Sequence, residues 1–110
     1  MAIQLTIFDE QKNIAQDKKA KRIRFLRDAI HQLEDENDTY KRDIESNEKS
    51  LETANWETRK DIEYDNTCLK ADIIRNDKVI ADYKKELAVL LNEIKQKATK
   101  QMLNKSQRQR

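Results

Sequence analysis

Glycine and proline are both absent from this 110-residue chain, cysteine occurs once, and aromatics make up only 5% of it. A compact fold reverses direction often and recruits Gly or Pro at its tight turns. A chain with neither residue is therefore not expected to build an ordinary globule; sustained helix is the economical reading. The single cysteine, Cys68, excludes an internal disulfide and suits a reducing compartment. No apolar run approaches the ~20 residues needed to span a bilayer, and nothing reads as a secretory signal, so an intracellular protein is expected.

The same scarcities argue against catalysis. The one histidine, His31, lies far from Cys68 in sequence. Metal ligation would need His or Cys clusters at set spacings, and phosphate-cradling loops need glycine. The many Asp and Glu residues read as solvated charges on helix faces rather than tuned acids. No catalytic, cofactor-binding or metal-binding residues are assigned, and the chain is not expected to be an enzyme.

Charge is what the chain has most of. Lys, Arg, Asp and Glu together make 40% of it, yet the net charge is only +2. High charge with low hydropathy also describes disordered chains; the near-balanced charge and the regular spacing of Ile and Leu speak against that. The total also hides a pattern. Residues 1–27 carry a net +4, residues 28–93 a net −8, and residues 94–110 a net +6. Two basic clusters therefore flank an acidic middle: Lys18, Lys19, Lys21, Arg22, Arg24 and Arg27 at one end, Lys95, Lys97, Lys100, Lys105, Arg108 and Arg110 at the other. Such clusters favour acidic partners such as nucleic acid, anionic lipid, a tubulin surface or the acidic stretch of another helix. A basic end that serves solubility is the plainer alternative.

Apolar residues follow the alternating three- and four-residue spacing of a coiled-coil seam. One frame has Ile23, Ile30, Asn37, Ile44 and Leu51 at a, with Leu26, Leu33, Tyr40, Asn47 and Ala54 at d. A second frame has Asn66, Ile73, Ile80, Leu87 and Ile94 at a, with Ile62, Leu69, Asn76, Tyr83 and Leu90 at d. The two frames, over 23–54 and 62–94, are out of step by one residue. A continuous helix can absorb this offset by local unwinding of the supercoil around 51–62. An antiparallel hairpin is the alternative, with its reversal near Ser46–Asn55, where Ser, Asn and Thr are weak helix formers. Because no glycine is present to cap a helix C-terminus, the spacing favours one near-continuous helix. The expected fold is all-α, a long coiled-coil rod covering 9–104 with a basic tail at 105–110.

Residues 1–8 differ from the rest. Ile3, Leu5 and Ile7 alternate with Gln4 and Thr6 before Phe8, which suits either a strand added to a partner's sheet edge or the start of the helix, capped by Thr6 with Asp9 and Glu10. A docking segment is expected there.

The seam also says something about partners. Asn37, Asn47, Asn66 and Asn76 all point inward, and buried Asn costs stability while fixing register. In a parallel homodimer Glu36 would meet Lys41 favourably, but Asp43 would meet Glu48 and Asp72 would meet Asp77. Exposed pairs count for a few tenths of a kcal/mol, yet the sign disfavours parallel self-pairing; a heteromeric or antiparallel arrangement fits better. Trp56, Tyr64 and Ile74 stand off the seam, with Thr67, Ala71, Ala81 and Ala88 along the same helix and Phe25, Val79, Val89 and Leu91 also outside the heptads. Charged residues are expected opposite a two-stranded seam, so this stripe points to a lateral contact, although single exposed apolar residues are ordinary.

The function these features suggest is structural: a coiled-coil subunit that scaffolds, spaces or crosslinks parts of an intracellular assembly, of the microtubule or ciliary-axoneme type, or a viral scaffolding coil. The alternatives are a nucleic-acid-binding coil gripping phosphates with Lys18–Arg27 and a helix lying on a membrane surface through Ile23, Phe25, Leu26 and Ile30.

Overall fold

The computed structural model describes the backbone of residues 2–108 and the side chains of residues 16–101 and 103. It is all-α, with helix α1 over Ala2–Leu51 and helix α2 over Trp56–Arg108. Long runs of Lys, Glu, Arg, Gln and Leu, uninterrupted by Gly or Pro, favour helix residue by residue. The apolar stripe supplied by the heptads gives each helix something to bury.

The chain reverses between the helices, so the continuous-helix expectation is corrected to the antiparallel hairpin. The reversal needs no glycine because side chains and a tightened last turn do the capping. The amides of Glu52 and Thr53 donate to the carbonyls of Lys49 and Ser50, at 3.3 and 3.4 Å. The Arg59 guanidinium donates to the Leu51 carbonyl at 3.2 Å, occupying one acceptor that the helix end leaves open. On the other side Asn55 is the N-cap of α2: its Oδ1 accepts from the Thr58 amide at 2.9 Å, and its carbonyl accepts from the Arg59 amide. Glu57 in the first turn of α2 and Lys49 in the last turn of α1 suit the helix dipoles. The one-residue offset between the heptad frames thus marks a change of arm, not an unwound stretch of supercoil.

The chain forms two compact units, Met1–Asp28 with Lys84–Arg110, and Ala29–Tyr83. In the second unit, which contains the reversal, the two arms pair antiparallel: Asn47 meets Asn66, and Asn37 meets Asn76. Its apolar interior centres on Ile30 and Ile80, with Leu33, Ile44, Leu51, Ile62, Leu69 and Ile73 half-buried along the seam. In the first unit the arms are also antiparallel, since Arg22 bonds Glu86 and Lys19 pairs with Glu93. Leu26 is fully buried there, with 0% of its surface exposed, and Ile23, Leu87 and Leu90 are half-buried. Withdrawing one such leucine from water contributes about 1.5–3 kcal/mol.

Residues 2–8 lie within α1, the helical of the two alternatives for that segment. Their side chains, on which a docking role would depend, lie outside the described ones. No strand occurs among the described residues.

Candidate partner-binding surfaces

The inward-facing asparagines are the polar centre of the second unit. Asn37 is 4% exposed and Asn66 7%. The Nδ2 of Asn76 donates to Oδ1 of Asn37 at 3.1 Å, and the Nδ2 of Asn37 donates to Asp77 at 2.9 Å. A second cluster repeats the arrangement nearer the reversal, where Nδ2 of Asn47 donates to Oδ1 of Asn66 and to Asp65, both at 2.9 Å. Asn76 also reaches Glu36 at 3.3 Å. Carboxylates beside the seam therefore serve as acceptors for amide protons that would otherwise be orphaned. Among the described residues no buried side-chain nitrogen or oxygen lacks a partner. Asp77, a liability in a parallel homodimer, is an acceptor in the antiparallel hairpin.

The hairpin also redistributes charge. Its first unit joins both basic ends, with fifteen Lys and Arg against six Asp and Glu for a net +9. The second unit has eight against fifteen, a net −7. Part of the basic cluster is engaged within its own unit. Arg22 makes a two-pronged contact with Glu86, each bond 2.9 Å, and its guanidinium lies 5.0 Å from the Phe25 ring centre. These bonds hold the Glu86 carboxyl below its ordinary pKa, against a smaller opposing effect of desolvation. Lys19 pairs with Glu93 at 3.4 Å and Lys21 with Asp17 at 3.3 Å. Lys18, Arg24, Arg27 and Lys100 are exposed. The side chains of Lys105, Arg108 and Arg110 lie outside the described set.

Between the arms of this basic unit is an open cleft of about 640 Å³. Ala20, Ile23, Leu91, Ile94 and Ala98 give it apolar surface; Lys19, Arg24, Arg27 and Lys97 lie around that surface, together with Glu93, the partner of Lys19. Ile94, expected in the seam, is 46% exposed here. The cause lies in the heptads themselves. Continuing the frames past Ile23 and Ile94 puts Gln16 and Lys19 on one arm, and Lys97 and Gln101 on the other, at a and d; all four line the cleft. Two lysines and two glutamines cannot replace the Ile and Leu that hold the arms together elsewhere. That switch in residue type was the available signal for the cleft, and reading the basic clusters only as charge missed it.

The expected lateral contact residues are all exposed: Trp56, Tyr64 and Ile74, the last 69% so. At helical spacing Trp56, Thr67, Ala71 and Ile74 share one face of α2, with Tyr64 at its edge. Lys60 sits over the Trp56 ring, 3.9 Å from its centre, which covers part of the indole with a cation. Phe25, Val79, Val89, Leu91 and Leu103 are further exposed apolar side chains.

Cys68 is an exposed free thiol, and His31 lies 3.4 Å from the carboxylate of its helical neighbour Asp35. Among the described residues no group of His, Cys, Asp and Glu could hold a metal ion, and no helix is long and apolar enough to cross a membrane. The chain matches none of the protein-family models, curated proteins or solved structures with which it was compared.

Proposed function

We propose that this protein is a structural subunit, a helical hairpin that joins a larger assembly by packing against other helices or along an acidic filament surface. The observation that carries this reading is the cleft of the basic unit, where apolar side chains are left open beside Arg24, Arg27 and Lys97, with Lys19 paired to Glu93 at its edge. An isolated hairpin would gain by closing that seam with leucine. A surface that combines exposed Ile and Leu with a cationic rim suits a partner that brings both apolar groups and carboxylates. A microtubule wall and an acidic amphipathic helix both meet that description, which keeps the cytoskeletal assignment as the leading form of the proposal.

Cosedimentation of the purified chain with polymerised tubulin tests the filament form. Binding should fall with added salt, because exposed charges are screened over about 8–10 Å at 0.1–0.15 M. It should fall further when Arg24 and Arg27 are both changed to Glu. Retention in the supernatant at low salt would refute filament binding. Salt-sensitive retardation of a DNA or RNA fragment by the same preparation would instead favour the nucleic-acid reading.

A further inference from the structure

The heptad e positions, which flank the seam on one side, differ between the two units. In the acidic unit they are Glu34, Lys41 and Glu48 on α1 and Glu63, Lys70 and Asp77 on α2, all charged and exposed. That is the pattern of a two-stranded coil, whose apolar stripe is confined to a and d. In the basic unit Arg27 and Lys84 keep the rule, but the next e positions are Ala20 on α1 and Leu91 and Ala98 on α2, and these three line the cleft. Over the same stretch a and d turn polar, with Gln16, Lys19, Lys97 and Gln101. The apolar stripe of each arm thus turns away from the opposite arm and towards e, where a further helix would meet it. From this we propose that the cleft takes one acidic amphipathic helix of another protein, which completes a three-helix bundle with the two arms. The inference rests on the proposed role of the hairpin as a helix-packing subunit and names its partner.

Shape and charge both describe this occupant. Ala20 and Ala98 are small enough for a helix to approach both arms closely, and Leu91 and Ile94, 39% and 46% exposed, give it apolar surface to cover. On α1 the lining runs from Gln16 to Arg27, about three helical turns. The cations Arg24, Arg27 and Lys97 line the cleft, and Lys95 on α2 holds the same heptad position, b, as Arg24 on α1. The nearby carboxylates do not neutralise them: Glu93 is engaged with Lys19 and Asp17 with Lys21, while Asp28 lies at f, on the far side of its helix. A helix that brings Asp or Glu beside its apolar stripe therefore suits the site. A second copy of the chain does not supply one. Its exposed α2 face bears Lys60 and Lys78 among Tyr64, Ala71 and Ile74, and the outward b and f positions of α1 from Asp28 to Lys49 hold no apolar side chain.

The probe is a fluorescein-labelled peptide of three heptads, with Leu at a and d and Glu at e and g, titrated with the full chain and followed by fluorescence anisotropy. Binding should saturate at one peptide per hairpin and weaken with added salt. The same peptide with Lys in place of Glu should not bind, nor should a scrambled one that keeps the composition and loses the heptads. Ala20→Lys with Ala98→Lys fills the cleft while adding positive charge. It should weaken binding by about tenfold or more, whereas a general attraction for acidic peptides would grow stronger. Lysine suits helix, and circular dichroism checks that this variant is folded. Absence of binding, equal binding of the scrambled peptide, or undiminished binding by the lysine variant would overturn the proposal. Cosedimentation with tubulin is independent of these outcomes, so the subunit reading in its filament form succeeds or fails separately.

Discussion

Asn37 and Asn76 are hydrogen-bonded to each other across the seam of the hairpin, 3.1 Å apart, with Asp77 accepting the free amide proton of Asn37 at 2.9 Å. The bond forms only when these two positions are opposite, so it ties the register of α1 to that of α2. Asn37→Ala removes the bonds to Asn76 and Asp77, but the Asn76 amide keeps Glu36 and the exposed Asp77 keeps water, so it should destabilise the hairpin by about 0.5–1.5 kcal/mol. Replacing both asparagines by Leu removes the polar requirement altogether. That double variant should melt higher than the parent but populate larger oligomers, because leucine accepts partners and registers that Asn rejects. Thermal melting with sedimentation checks both outcomes; a lower melting temperature at unchanged mass would show the pair to be a net source of stability.

Much of this architecture is legible as pattern. The heptads identify the inward-facing side chains from Ile23 to Leu90, nearly all of which are buried or half-buried, because period and burial are linked by helix geometry. The reversal is harder to read. Its signal was Asn55 followed by Thr58 and Arg59, but capping by side chains several residues away is a three-dimensional arrangement, and the absence of glycine weighed against it. The cleft is harder still. Gln16, Lys19, Lys97 and Gln101 come together only once the chain has folded back, so no window on a single helix displays the four as one site.

The cap itself is open to test. Asn55→Ala should cost about 1 kcal/mol, whereas Asn55→Gly should cost only a few tenths. Arg59→Met keeps much of the side-chain volume and removes the donor to Leu51, so it should destabilise the last turn of α1 without affecting the seam. Amide hydrogen exchange around Lys49–Glu52 reports on that turn directly. Unchanged exchange there would mean that water replaces the guanidinium at no cost.

Glu86 makes the basic unit sensitive to acid. Its pKa is lowered chiefly by the Arg22 hydrogen bonds. A carboxylate lowered on folding contributes stability that is fully present above its ordinary pKa and lost as pH falls through the lowered value. The melting temperature of the parent should therefore exceed that of Glu86→Gln at neutral pH, and the difference should shrink as the pH falls below the ordinary glutamate range. The group lies at the surface, where ion pairs contribute little, so the effect is small. A difference that does not change with pH would show that Arg22 acts through packing on Phe25 alone.

The cleft exists because its seam positions are polar, and that can be reversed. Changing Gln16, Lys19, Lys97 and Gln101 to Leu together continues the heptads of both arms. This should close the cleft and raise stability by several kcal/mol, since each leucine that becomes buried contributes up to about 1.5–3 kcal/mol. Binding to polymerised tubulin should be lost in the same variant. A gain in stability with binding retained would locate the partner surface elsewhere on the basic unit.

Trp56 offers a direct readout, as the sole tryptophan of the chain. It is largely exposed, with Lys60 over its ring. The free chain at low concentration should therefore emit at the long wavelength of a hydrated indole and be quenched readily by acrylamide. If the face that bears Trp56 packs against another copy, raising the concentration should shift the emission to shorter wavelength and protect it from the quencher. Arg24→Glu with Arg27→Glu should leave Trp56 unaltered in the dilute chain, since these arginines belong to the other unit. An emission that stays constant with concentration would place Trp56 outside any self-contact, whatever the sedimenting mass.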